Sequence, residues 1–250
     1  MIYVCVSARN NVSTVGLALW KVRQVFEEFS REYRLLVSDD ASTDGTLLTL
    51  EPYTRALPMT LLSVEKPRGY AASMEALVQK ALDLTDRPKR DCLVTIPADY
   101  SVNPAIIPEL IRRTESGADV VVGEMSHITL PAIHRLVSRS ATWLLKPGIR
   151  LQGFKDIMSG VYAFRLATLK ACYKESGDTL LLTSGGCANA ELLARAASVA
   201  RQIAVVPVTQ QDIPDLRGRK PEGAVALALN LLRAGRKLAI PEPHAPVQRV

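Results

Sequence analysis

The 250-residue chain carries 31 Lys and Arg against 25 Asp and Glu, a formal charge of +6, with 48% hydrophobic and 22% charged residues. That balance is ordinary for a folded globular protein, suffices for one large α/β domain and excludes extended disorder outside the ends. The cationic excess favours anionic partners such as lipid head groups, nucleic acid or phosphorylated small molecules; only 5% aromatics and a dispersed basic set argue against nucleic acid.

In chain order, MIYVCVSARN enters a strand at once, without the basic start and long apolar stretch of a secretory signal. The runs at 2–7, 34–38, 60–65 and 92–97 read as buried strands by their length and apolar continuity. Apolar residues at helical spacing fill 13–29, 44–54 and 69–84 between them. A helix is predicted over 104–117, then strands at 119–124, 160–165 and 202–208, with helices near 166–175 and 187–200. A polar loop, TQQDIPDLRGRKPEG, follows at 209–223. The stretch 224–240 reads as a terminal helix and PEPHAPVQRV as a frayed tail. Alternating strands and helices predict a mostly parallel, doubly wound sheet flanked by helices in a single domain.

Cys5, Cys92, Cys172 and Cys187 show no CxxC or Cys/His spacing, which argues against zinc and for a reducing compartment. No apolar run reaches the roughly 18–20 residues a membrane span needs. The chain is expected to be cytoplasmic, either soluble or peripheral at the inner face of a membrane.

The acids concentrate where the strands end. The first strand runs into SARNN (7–11), the second into DDASTDGT (39–46) and the fourth into PADYS (97–101). In a doubly wound sheet these exits share one rim, and ligands bind there. Turn and cap chemistry accounts for Asp44, Ser42 and Gly45. It accounts less well for the adjacent Asp39 and Asp40, where a buried carboxylate suits a nucleobase N–H or a ribose hydroxyl.

VSDDASTDGT resembles the VVDDGSTDGT signature of family 2 glycosyltransferases of the GT-A fold. The likeness continues in order over roughly residues 1–220. SARNN is similar to that family's PAYNE, RGYAASMEALVQKA to NxGYAAAxxxGxxxA, and PADYSVNP to DADxQxxP. GADVVVGE then resembles GxDVVxGSR, and KDIMSGVYAFR resembles DxxSGFRxF. The branch it is most similar to transfers sugars to polyprenyl or dolichol phosphate.

The resemblance implies an inverting transfer from a UDP- or GDP-linked sugar to an acceptor, with a polyprenyl phosphate as one candidate. Residues 1–223 would form the nucleotide-sugar-binding and catalytic unit, and 224–250 a terminal helix and tail packed on it or on a membrane surface. Asp40 would read the base, Ser7, Ala8 and Arg9 would line the nucleoside pocket, and Arg68, Gly69 and Ala98 would approach the same donor. Asp99 matches the second acid of the DxD motif, which holds Mg2+ or Mn2+ against the diphosphate, but Pro97 replaces the first. One carboxylate plus substrate phosphates can still hold magnesium. Alternatively Arg135, Arg217, Arg219 and Lys220 would take the diphosphate charge, since arginine forks suit phosphate oxygens.

The acid pair that precedes E-L-x-x-R in many hydroxyl-glycosylating members falls on Ala188 and Asn189. A hydroxyl acceptor loses a proton on attack and profits from a base; a phosphate is already an anion. The resemblance implies that Asp156 or Glu191 would then hold the acceptor, both counted with Asp99 as catalytic residues. Pro97, Asn189 and Met125, which stands where the family has Arg, also fit a catalytically degraded nucleotide-sugar-binding protein. The terminal helix ends in Arg233, Arg236 and Lys237, a pattern that suits an anionic membrane or, more plainly, a helix packed on the core.

Overall fold

Strand β1 (Ile2–Ala8) is buried along its length except at Ser7, because both faces of the sheet are covered. Tyr3 and Cys5 point into one apolar cluster, while Ile2, Val4, Val6 and Ala8 point into the other. The computed structural model describes residues 1–125, 136–137, 140–146, 148–177, 179–211 and 223–249.

Helix α1 (Val15–Glu28) lays Val15, Leu19, Val22 and Phe26 on the second cluster, the spacing of one helical face. Strand β2 (Tyr33–Asp40) pairs parallel with β1 and places Ser38 beside Ser7 and Asp39 beside Ala8. The helix expected over 44–54 is interrupted. It becomes α2 (Thr46–Leu50) and α3 (Tyr53–Ala56), since Pro52 supplies no backbone N–H for continuation. Strands β3 (Met59–Val64) and β4 (Cys92–Thr95) join β2 and β1 in parallel, with α4 (Tyr70–Leu84) crossing between them on the first cluster. Helix α5 (Ile107–Glu115) covers the second cluster, and β5 (Val120–Met125) follows.

Among the described residues the sheet has eight strands, ordered β3-β2-β1-β4-β6-β5-β7-β8. Strand β6 (Tyr162–Arg165) is inserted antiparallel between β4 and β5, so the chain enters it at the rim where its neighbours end. Around it lie the short helix α6 (Ala141–Leu144), α7 (Leu166–Ser176) and α8 (Gly186–Val199); β7 (Ile203–Val208) then pairs parallel with β5. This is the mostly parallel α/β sheet expected from the alternation of elements.

The carboxyl-terminal region departs from the expectation of a frayed tail. Helix α9 (Ala224–Lys237) buries Leu231, Ala234 and Gly235. A Cβ on Gly235 would stand within 3.0 Å of the Leu144 and Leu145 carbonyl oxygens, so glycine lets α9 cross α6 backbone to backbone. Residues Val247–Arg249 then form β8, which extends the sheet beside β7.

Candidate active site

The exits of β1, β2, β3 and β4 meet on one rim, and a web of short polar contacts fixes their shape. Asn10 N–H donates to Ser42 Oγ at 3.0 Å, Thr43 N–H to Asn10 Oδ1 at 2.9 Å, and Asn11 N–H to Thr46 Oγ1 at 2.8 Å. Asp44 accepts from Val12 N–H at 3.0 Å through one oxygen and from the Thr46 N–H and hydroxyl through the other. Burial opposes ionisation of Asp44, but hydrogen bonds from the Thr46 side chain and the Val12 and Thr46 N–H groups together outweigh it and hold the carboxyl below its ordinary value. Asp44 is therefore a turn residue, as its place before a helix suggests.

Asp40 stands at the end of β2, only 2% exposed. Its carboxylate accepts from Arg68 N–H at 2.6 Å and Gly69 N–H at 3.0 Å, and the Arg9 guanidinium lies 3.5 Å away. One acid thus joins three of the loops expected to surround a nucleoside. Beside it, Asp39 accepts from Ser42 N–H, while its other oxygen and the Ser38 hydroxyl are buried without a partner among the described residues. Ser7 sits level with Ser38 on the same rim. The Ala8 and Ala98 side chains, by contrast, are buried in the second cluster, so at these two positions it is backbone that faces the rim contacts.

Besides Asn10, at φ +56° and of a residue type that tolerates it, two residues here hold strained left-handed backbone. Ala41 and Tyr100 adopt φ values of +52° and +55°, a region that costs an L-residue roughly 1–2 kcal/mol. The family signature that DDASTDGT resembles has glycine at the place of Ala41. Ala41→Gly is expected to raise stability by about 1 kcal/mol, read as a higher denaturant midpoint at unchanged slope. An unchanged or lower midpoint would mean that the turn relaxes without glycine.

Asp99 lies in the turn after β4, partly exposed, with Oδ1 accepting from Ser101 N–H at 2.9 Å. Among the described residues no three His, Cys, Asp or Glu side chains cluster as a metal cage. The donor set at Asp99 is a single carboxylate. It fits a cation held mainly by a bound diphosphate and its own waters, and does not fit one caged by protein alone.

The other half of the rim is built around β5 and the turn into β6. Asp156, 2% exposed, accepts from Met158 N–H at 3.0 Å and from Met125 N–H at 3.3 Å. Thr95 Oγ donates to the Gly160 carbonyl at 2.8 Å and accepts from Tyr162 N–H, tying β4 to this turn. Asn189, from the first turns of α8, accepts from the Tyr70 hydroxyl at 2.6 Å and donates to the Met158 carbonyl at 3.4 Å. Burial pushes the Tyr70 phenol up and outweighs the Asn189 contact, so it stays a neutral donor. Tyr70 begins α4, directly after the loop bound by Asp40. The Tyr70–Asn189 contact therefore bridges the two halves of the rim.

Glu191 does not join this group. Its side chain is fully buried, with one oxygen accepting from Leu182 N–H, Thr183 N–H and the Thr183 hydroxyl and the other from the Arg195 guanidinium at 2.8 Å. It braces the turn before α8, and all its contacts lie inside the protein. The i,i+4 spacing of Glu191 and Arg195 was the signal for that pair. Arg135, Arg217, Arg219 and Lys220 lie outside the described residues. A cavity of about 360 Å3 opens at the opposite end of the sheet, around Met1, Glu32, Cys92 and Arg165. There Arg165 is committed to Asp119 and to the Lys89 and Thr114 carbonyls, and the cavity offers none of the rim's chemistry.

Comparison with known proteins bears on the family and the fold. The chain is similar to a dolichol-phosphate mannosyltransferase of Pyrococcus furiosus, with 24% identity over 139 residues, 53% of this chain and 38% of that protein. The chain thus spans well under half the length of that curated relative. Its fold is similar to that of glucosyl-3-phosphoglycerate synthase from Mycobacterium tuberculosis, solved with phosphoglyceric acid, at a TM-score of 0.62 and 18% identity over 95% of this chain and 80% of that one. A structure of the same enzyme with Mn2+, UDP and phosphoglyceric acid gives 0.61 and 18% over 94% and 78%. S. aureus TarS 1-349 in complex with UDP-GlcNAc gives 0.54 and 16% over 88% and 61%. At these identities the solved structures bear on the fold, which is of the GT-A type. A family model, "Glycosyl transferase family 2", matches residues 3–169. The chain belongs to glycosyl transferase family 2.

Proposed function

We propose that the chain transfers a sugar from a UDP- or GDP-linked donor to a phosphate-bearing acceptor, with inversion at the anomeric carbon. The observation that carries the acceptor class is Asn189. Where a hydroxyl-directed enzyme keeps a carboxylate base, this chain has an amide whose oxygen is taken by Tyr70 and whose nitrogen faces the Met158 carbonyl. An amide cannot remove a proton. A phosphate monoester needs no base, because it is already an anion near neutral pH. The Pyrococcus relative, a dolichol-phosphate mannosyltransferase, supports a lipid phosphate as that acceptor.

In this reading Asp40 and the loops it holds, with Ser7, Arg9, Arg68 and Gly69, receive the nucleoside. Asp99 faces the diphosphate and would hold Mg2+ or Mn2+ there. When bound, that cation neutralises charge on the departing diphosphate. Arg217, Arg219 and Lys220 belong to the same proposal, because Gln210 and Gln211 just upstream pair with Val102 and Ser101, next to Asp99; Arg135 is retained for its charge alone. The acceptor phosphate oxygen attacks the anomeric carbon from the face opposite the diphosphate. A new C–O bond forms as the old one breaks, and the nucleoside diphosphate leaves with the electron pair. Catalysis comes from alignment and from stabilising the departing charge.

Among the described residues no helix is long and apolar enough to cross a membrane. The outward side of α9, with Val225, Leu229, Arg233 and Arg236 exposed, supports a peripheral contact at a cytoplasmic membrane face.

The test is product formation from UDP- and GDP-sugars with a polyprenyl phosphate in detergent, against the matching polyprenol. Transfer to the phosphate with a flat rate over about pH 7 to 9 is expected, because no base has to titrate. Asn189→Asp is expected to slow that transfer about tenfold, by facing an anionic acceptor with a second anion. Preference for the polyprenol, or a faster Asn189→Asp variant, would overturn the acceptor assignment. Pro97 favours one second reading, a nucleotide-sugar-binding protein that no longer turns over; it expects donor binding with no product from either acceptor.

A further inference from the structure

The segment that carries Asp156 has few regular elements to hold it: between α6 and β6 the described chain has turns and bends and no helix or strand. Its support comes from two sides. From β5, Glu124 Oε1 accepts from Lys155 N–H at 2.6 Å, and Met125 N–H donates to Asp156 itself. From the far end of the sequence comes a strap. Ile240 N–H donates to the Gly148 carbonyl at 2.9 Å, and Gln152 Nε2 donates to Glu242 at 2.9 Å. Gly153, at φ +86°, is backed by Val247 of β8, whose side chain lies 3.5 Å from where a Cβ would stand.

The strap ends on a fork. Arg249 donates through both terminal nitrogens to the two oxygens of Glu124, at 2.8 and 3.2 Å, and also to the Gly153 carbonyl. Glu124 is largely buried, its side chain 8% exposed. A buried carboxylate that holds one strand of chain on one side needs a cation on the other, and a planar guanidinium supplies it in a fixed orientation. Glu124 is thus held by Arg249 while it holds the backbone one residue before Asp156. Since β8 is itself hydrogen-bonded to β7, the position of Arg249 is set by the sheet.

We propose that Arg249 is a positioning residue for the acceptor side of the site: through Glu124 and Gly153 it fixes the loop that presents Asp156. The function of that loop rests on the transferase reading above; its anchoring by Arg249 does not. The strap's polar contacts among the described residues go to β5, β7 and the 148–153 segment, and none of them goes to the donor half of the rim, built on β1, β2 and the loop before α4. The two halves should therefore respond differently.

The experiment uses the full chain as wild type, Arg249→Ala, Arg249→Lys and a control on the same strand, Gln248→Ala, which loses a contact to Gln202 and none to Glu124. Three quantities are read: amide hydrogen exchange, UDP and GDP affinity, and KM against kcat for polyprenyl phosphate. In Arg249→Ala, exchange over 149–158 is expected to accelerate about tenfold, while 34–46 stays as in wild type. The acceptor KM is expected to rise or kcat to fall about tenfold, with nucleotide affinity unchanged, because a small misplacement suffices to lose alignment. Lysine should restore part of each effect and Gln248→Ala should show none. Unchanged exchange over 149–158 in Arg249→Ala would overturn the proposal, and so would equal losses at the donor and acceptor sides. If the wild type transfers to no phosphate acceptor, the transferase reading fails, and the exchange pattern alone still decides whether Arg249 anchors the loop.

Discussion

Replacing Glu191 with alanine is expected to lower stability by about 3–5 kcal/mol, the cost of breaking a buried ion pair from one side. The carboxylate has no exposed surface and serves Leu182, Thr183 and Arg195 at once. Its loss leaves the Arg195 guanidinium, itself 16% exposed, with Ser176 as its remaining side-chain partner. It also leaves two backbone N–H groups of the 180–184 turn without their acceptor, each costing about 1–3 kcal/mol if unsatisfied. Glu191→Gln, which keeps an acceptor oxygen and loses the charge, should fall between. The denaturant midpoint measures both. A change below about 1 kcal/mol in the alanine variant would contradict the bracing role. An intact fold with acceptor turnover abolished in Glu191→Gln would restore the acceptor contact that the family resemblance implies.

Asp99→Ala should have the opposite profile. Asp99 gives the fold one turn hydrogen bond, to Ser101 N–H, so stability should change by no more than about 1 kcal/mol. Turnover at saturating donor should fall about 10²–10³-fold, as when one group that stabilises departing charge is removed. The pair of variants separates the two acids cleanly: Glu191 is read in stability, Asp99 in turnover. Near-normal turnover in Asp99→Ala would shift the charge-stabilising role to Arg217, Arg219 and Lys220.

The parts of the fold that were legible in the sequence are those set by local pattern. Runs such as RLLVS and CLVTIP are too apolar and too short for anything but covered strands, and their exits had to share a rim once the strands were parallel. The family resemblance, not the strand pattern, put Arg9, Arg68 and Gly69 around Asp40, and the structure brings these four together. What escaped was set by contacts distant in sequence. Tyr70 reaches Asn189 across 119 positions, and Arg249 reaches Glu124 across 125. No window on either side announces them. Strand β8 is three residues long, VQR, and becomes a strand only because β7 offers an open edge. The antiparallel insertion of β6 has no local mark either, since a buried strand reads the same in both directions. Glu191 was placed with the acceptor by the resemblance, and the structure sets its carboxylate apart from the rim for a local reason: two residues after Asn189 along a helix, it faces a different side.

If the rim that holds Asp40 and Asp99 receives a nucleoside diphosphate and its sugar, the free nucleotide binds there. Calorimetric titration of the full chain with UDP and with GDP, each with Mg2+ or Mn2+ and with EDTA, decides this. Saturable binding of one of the two is expected, strengthened by the cation, with the strengthening lost in Asp99→Ala. Absence of binding to both nucleotides under every metal condition would contradict it.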